Sequence, residues 1–170
     1  MLEIVEPKSP QQFDAVRELC WEYRDFLIDL GGENARAVTI AYPEDKYARL
    51  MNTLEQHHAP PQGGVRLALL DDKPVGCGMF QNLSPDTAEI KRVYVRDNAR
   101  GTGAGRAIME ALVSDCRDRG YARILMDTGK VLTAARGLYN SMGFVEREPY
   151  HDLHLSAGDQ LVYFEMDLRS

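Results

Sequence analysis

Arg100-Gly101-Thr102-Gly103-Ala104-Gly105 alternates glycine with small residues directly ahead of an amphipathic run. Glycine at alternate positions lets successive backbone N–H groups point at one spot, and a helix start adds partial positive charge there. The chemistry this favours is the holding of a phosphate or pyrophosphate. Arg100 and Arg106 flank the turn and could add charge, or could be solvated surface arginines.

The elements that must position these groups are legible. Leu2 to Val5 opens as a short strand; Ser9-Pro10 then suits the start of a helix from about Gln11 to Leu30. Gly31-Gly32 ends that helix, and a second is expected from Pro43 to about Gln56, with a polar loop between them. Val65 to Leu70, Pro74 to Leu83 and Thr87 to Val95 read as three strands joined by tight turns, an antiparallel meander. After the glycine turn, Ile108, Met109, Leu112, Val113 and Cys116 form one apolar helical stripe that Gly120 stops. Tyr121 to Asp127 follows as a strand, parallel to its predecessor if the helix crosses over. Thr133 to Met142 is a short helix, and Phe144 to Arg147 and Leu161 to Leu168 are final strands. The expected fold is a mixed, mostly antiparallel α/β sheet flanked by helices, one domain over residues 1–170.

Several functions are excluded or disfavoured. A net charge of −6 over 170 residues argues against general nucleic-acid binding. It mildly favours a cationic small-molecule partner. Cys20, Cys77 and Cys116 are widely spaced with no CxxC pair, which disfavours a disulfide framework and a zinc site. The His151-x-x-His154 pair lacks further ligands, so no metal is expected. No apolar run reaches the length of a membrane span, and the acidic start MLEIVEP is unlike a secretion signal. A cytoplasmic protein without membrane contact is expected. For the turn, GxGxG departs from the dinucleotide GxGxxG, and the strand before it carries Glu89, Lys91 and Arg92 where that fold needs apolar residues. A Walker loop fails because no Gly-Lys-Ser/Thr follows.

The turn is similar to the Arg/Gln-x-x-Gly-x-Gly/Ala signature of the GNAT superfamily of acyl-CoA-dependent N-acyltransferases. Ala135-Arg136-Gly137-Leu138-Tyr139-Asn140-Ser141-Met142-Gly143-Phe144 resembles that family's second signature. The hairpin around Pro74-Val75-Gly76 resembles its early strands, so the resemblance covers roughly residues 65 to 145. It implies an N-acetyltransferase that moves an acetyl group from acetyl-CoA, a cosubstrate, to a primary amine of a small molecule, amino acid or peptide. Arg100, Gly101, Thr102, Gly103, Ala104, Gly105 and Arg106 would then hold the pyrophosphate. Val93 and Val95 would offer backbone groups to the pantetheine arm and acyl carbonyl. Glu89 would be the general base, directly or through water; its other reading is a salt bridge to Lys91 or Arg92. Tyr139 would hydrogen-bond the departing thiolate.

Leu132 stands where many members carry a pantetheine-contacting asparagine, so Thr128, Thr133 or backbone would serve instead. The acceptor would sit between the early helices and the final connection, where Trp21, Tyr23, Asp25, Asp29, Glu33, Tyr150, His151 and Asp152 are available. A catalytically silent acyl-CoA binder, a sensor or assembly module, shares the same turn. The sequence leaves a homodimer open.

Overall fold

The computed structural model describes residues 1–169. One seven-stranded sheet runs in the order β1-β2-β3-β4-β5-β7-β6. The strands are β1 (Leu2–Val5), β2 (Gly64–Leu70), β3 (Lys73–Ser84), β4 (Thr87–Val95), β5 (Arg123–Gly129), β6 (Val145–Arg147) and β7 (Leu161–Asp167). All neighbours are antiparallel except β4 and β5. The helices are α1 (Pro10–Asp29), α2 (Gly32–Ala41), α3 (Glu44–Asn52), α4 (Leu54–His57), α5 (Ala104–Asp118), α6 (Thr133–Ser141) and α7 (Leu153–Ala157).

The sheet has an apolar cluster on each face. Val65, Leu67, Cys77 and Met79 join Val16, Leu19 and Cys20 of α1 with Tyr47 and Met51 of α3. Ala68, Phe80, Ala88 and Ile90 join Ile108, Met109, Leu112 and Cys116 of α5 on the other side. This is the period-2 alternation of a sheet covered on both faces. Close approach of α5 requires glycine at 78, where a Cβ would come within 2.8 Å of Ile108. Helix α1 begins as its sequence dictates: Ser9 accepts from the Gln12 N–H at 3.1 Å and the Gln12 side chain accepts from the Ser9 N–H at 3.3 Å, a capping box with Pro10 as first helical residue.

Two helices arise where irregular chain is expected. α2 fills much of the stretch read as a polar loop between the early helices, and α7 lies in the final connection. α2 has no side-chain cap and carries Val38, Thr39 and Ile40, so local preference for helix is weak. Packing against α1 and α7 holds it. The expected second helix is broken at Thr53 into α3 and α4, because Thr53 has non-helical backbone angles of −114° and 20°.

Two irregularities of β4 shape the site. Its parallel pairing with β5 covers Thr87↔Arg123, Ala88↔Ile124 and Glu89↔Leu125, and ends there. β5 stays paired with β7 as far as Gly129, so β4 and β5 splay apart beyond Glu89. On its other edge, β4 shifts register against β3 between Cys77↔Tyr94 and Met79↔Lys91, leaving one extra residue in β4. Arg92 sits in that bulge with φ of 53°, a left-handed conformation uncommon for a side chain of its size.

Candidate active site

The splay opens into a cavity of about 610 Å³. At its lower end lies the glycine turn. Gly101 and Gly103 have φ of 81° and 87°, where any side chain would strain the backbone, and a Cβ on either would meet nothing within 4 Å. Their conformation therefore follows from the turn, not from crowding. The first bond of α5 is from the Ala107 N–H to the Gly103 carbonyl at 3.0 Å. Ahead of it, the backbone N–H groups of Gly101, Gly103, Ala104, Gly105 and Arg106 have no protein acceptor among the described residues, and all five residues line the cavity. Five free donors on one concave surface fit an anionic phosphate group.

Arg100 and Arg106 line the same end. Arg100 lies 5.2 Å over the Phe26 ring and pairs with Asp97 at 3.1 Å; Arg106 donates to Ser141 at 2.6 Å. Thr102 stands apart from its neighbours. Its N–H and its hydroxyl both donate to the Ala99 carbonyl, at 3.3 and 2.5 Å, and it is not part of the cavity wall. It braces the turn from behind.

Up the slot, Val93 and Val95 form one wall and Met126, Asp127 and Thr128 the other, with Leu132, Thr133 and Leu138 closing it from the side of α6. Thr128 and Thr133 are thus both within reach of an extended ligand, beside Leu132. Tyr139 stands on this surface. Its ring is 4% exposed and is held edge-on by Phe144 and Phe164, at 6.1 and 5.7 Å. Its hydroxyl has no protein partner among the described residues, yet is not sealed in the core. Burial, and next the Asp127 carboxylate, push this phenol above its ordinary value. It is a hydrogen-bond donor rather than a ready acid.

Glu89 is 5% exposed and is not part of the cavity wall. Gln81 donates to its Oε1 at 2.8 Å and the Tyr150 hydroxyl to its Oε2 at 2.6 Å. Lys91 approaches at 3.9 Å, while Arg92 does not pair with it. Asp127 reaches the cavity and holds His151, whose Nε2 lies 2.7 Å from Oδ2. That bond raises the His151 pKa above its ordinary value. The Tyr150 and His151 rings stack edge-on at 4.9 Å, so the two carboxylates are bridged by one aromatic pair.

Tyr139 and Asp127 line the slot, and Glu89, Tyr150 and His151 are tied to one another and to Asp127 off its surface. Gln81 joins them as a partner of Glu89 that no sequence signal pointed to, and Lys91 approaches Glu89 as the salt-bridge reading expects. Asp127 had one visible signal, being the sole charged residue within the apolar run Ile124–Thr128. Of the expected acceptor wall, Tyr23 lines the cavity, whereas Trp21 packs edge-on against Tyr47 in the core. Asp25, Asp29, Glu33, Tyr150, His151 and Asp152 are not on the cavity surface. The three cysteines are free and buried, as their apolar settings imply. No group of three or more His, Cys, Asp or Glu among the described residues could hold a metal, and none of the described helices is long and apolar enough to cross a membrane.

The chain belongs to the acetyltransferase (GNAT) family, whose model matches residues 15–144. It is 30% identical over 154 residues to an uncharacterized N-acetyltransferase of Schizosaccharomyces pombe, covering 88% of this chain and 86% of that protein. It is 31% identical over 145 residues to an IAA acetyltransferase of Azospirillum brasilense, covering 84% of each. In fold it resembles a GNAT-family acetyltransferase from Staphylococcus aureus, with a TM-score of 0.75 at 15% identity over 99% of this chain and 100% of that one. It also resembles the PaiA N-acetyltransferase of Thermoplasma acidophilum, solved in complex with coenzyme A, with a TM-score of 0.71 at 14% identity over 98% and 99% of the two chains.

Proposed function

We propose that the protein transfers an acetyl group from acetyl-CoA to a primary amine by direct attack. The observation that carries this is the continuity of one cavity from five free backbone donors at the glycine turn to the Tyr139 hydroxyl and Asp127 at its other end. In this reading the pyrophosphate rests on the N–H groups of Gly101, Gly103, Ala104, Gly105 and Arg106, with Arg100 and Arg106 adding charge. The pantetheine arm extends along the unpaired edge of β4, as a strand would, past Val93 and Val95.

The amine must lose a proton before it attacks, since at neutral pH an amine of pKa ~10 is almost wholly protonated. Glu89 takes that proton by relay, because it is not part of the cavity wall; the Tyr150 hydroxyl at 2.6 Å is the nearest link. The amine nitrogen then bonds to the thioester carbon, the C–S bond breaks, and the electron pair leaves on sulfur. The Tyr139 hydroxyl donates to that sulfur as its charge develops.

Release of free thiol from acetyl-CoA across a panel of small amines, amino acids and peptides tests the proposal. Amine-dependent release is expected. Calorimetric binding of acetyl-CoA with no release from any acceptor would refute it in favour of a silent acyl-CoA binder.

A further inference from the structure

The charges on the cavity wall are not those of the whole chain. The net charge of −6 suggests a cationic partner, yet the wall carries Lys91, Arg92, Arg100 and Arg106 against Asp127 alone. Arg100 and Arg106 belong to the phosphate end. Lys91 and Arg92 lie elsewhere, with Arg92 roughly 13 Å up the strand from Arg96, the first residue beyond β4. In a regular strand these two neighbours would point to opposite faces. The bulge puts both on the α1 side, where Lys91 lies 5.8 Å over the Tyr42 ring and Arg92 contacts Met79 Sδ at 3.3 Å.

Arg92 is 4% exposed and pairs with no carboxylate among the described residues. Its other partner is His58 Nε2 at 2.8 Å. His58 donates from Nδ1 to the Phe80 carbonyl at 2.9 Å, so Nε2 can only accept, and the ring is neutral. Burial, and next Arg92 itself, push that imidazole down to about 3. A buried guanidinium is normally paired, because desolvating an unpaired ion is strongly unfavourable. Among the described residues the one carboxylate near Lys91 is Glu89, at 3.9 Å, and both oxygens of Glu89 are already engaged. Tyr23 lines the cavity and the Tyr42 ring lies beneath Lys91, and neither phenol has a hydrogen-bond partner among the described residues, which leaves two more donors for an anion.

We infer that the acceptor is a primary amine that itself carries a carboxylate, a compound of the amino acid class. This rests on the acetyltransferase reading and names its second substrate. The carboxylate lies on Arg92 and Lys91, with the planar guanidinium suited to bidentate contact. The amine turns toward Asp127 and Glu89, which stand on the same side as the thioester. An acceptor of this kind supplies the anion Arg92 lacks and presents its cation to the two carboxylates.

The test compares kcat/KM for matched triads of acceptor: free L-amino acids, their C-terminal amides, and the corresponding decarboxylated amines. Wild-type protein should prefer the free acids by at least about thirtyfold. Arg92→Met, which keeps the stem and removes the charge, should bring the acid-to-amide ratio down at least tenfold. Lys91→Met is the second variant, at a less buried position, and should lower the same ratio if Arg92→Met does not fold. Equal use of acids and amides by the wild type would overturn the inference. So would an equal loss for all three acceptor classes in the variants. Thiol release from none of the acceptors would instead overturn the acetyltransferase reading on which it stands.

Discussion

Replacing Tyr139 by Phe isolates one hydroxyl. The ring stays, and with it the edge contacts to Phe144 and Phe164 that fix it. The hydroxyl has no partner among the described residues, so its removal leaves no buried group stranded. Stability should change by less than about 0.5 kcal/mol, a shift in melting temperature under about 2 °C for a chain of this length. The effect on turnover should be far larger. A hydrogen bond to a charged group contributes about 1.5–3 kcal/mol, and one formed only as sulfur gains charge is felt wholly in kcat. A loss of about 2 kcal/mol is roughly a thirtyfold fall.

The donor should not complete its proton transfer. An ordinary phenol lies ~1.5 units above an ordinary thiol, about 2 kcal/mol uphill, and burial beside Asp127 moves this phenol further up. Hence no basic limb assignable to Tyr139 should show in kcat below about pH 10. The assay is thiol release at saturating acceptor with acetyl-CoA varied, alongside thermal melting. A kcat within threefold of wild type would remove Tyr139 from the mechanism. A loss confined to the KM for acetyl-CoA would make it a binding residue only.

Gly103→Val should weaken acetyl-CoA binding at least tenfold by calorimetry, because a side chain at φ of 87° strains the turn by roughly 1–2 kcal/mol and stands among the free N–H groups. Nothing within 4 Å would clash with its Cβ, so the fold should survive; unchanged affinity would refute the phosphate cradle. The Asp127–His151 pair predicts a pH signature. The folded protein holds the His151 proton above its ordinary pKa of ~6.5, so this stabilisation is complete below about pH 6.5 and disappears as pH rises through the folded value. The melting temperature of wild type relative to Asp127→Asn should accordingly be most favourable near pH 5.5 and narrow toward pH 9. A difference independent of pH would break that link.

The glycine turn was legible because its signal is backbone chemistry: few residues but glycine accept the positive φ of positions 101 and 103. The meander and the crossover were legible because tight turns and apolar periods are local. α2 was not, since GENARAVTIA has neither a cap nor a strong helical preference and is held by α1 and α7. Nor could the sequence show that Glu89 would be wrapped by Gln81 and Tyr150, 8 and 61 residues away. The deepest gap concerns Lys91-Arg92. Within a strand that alternates faces, two adjacent cations belong on opposite sides of the sheet. Their true placement depends on a register shift that exists only between β3 and β4, and no single-strand pattern records a pairing. The site therefore has two origins in one strand. Loss of pairing with β5 opens the slot proposed for the donor, and the bulge against β3 turns a second cation toward the place proposed for the acceptor.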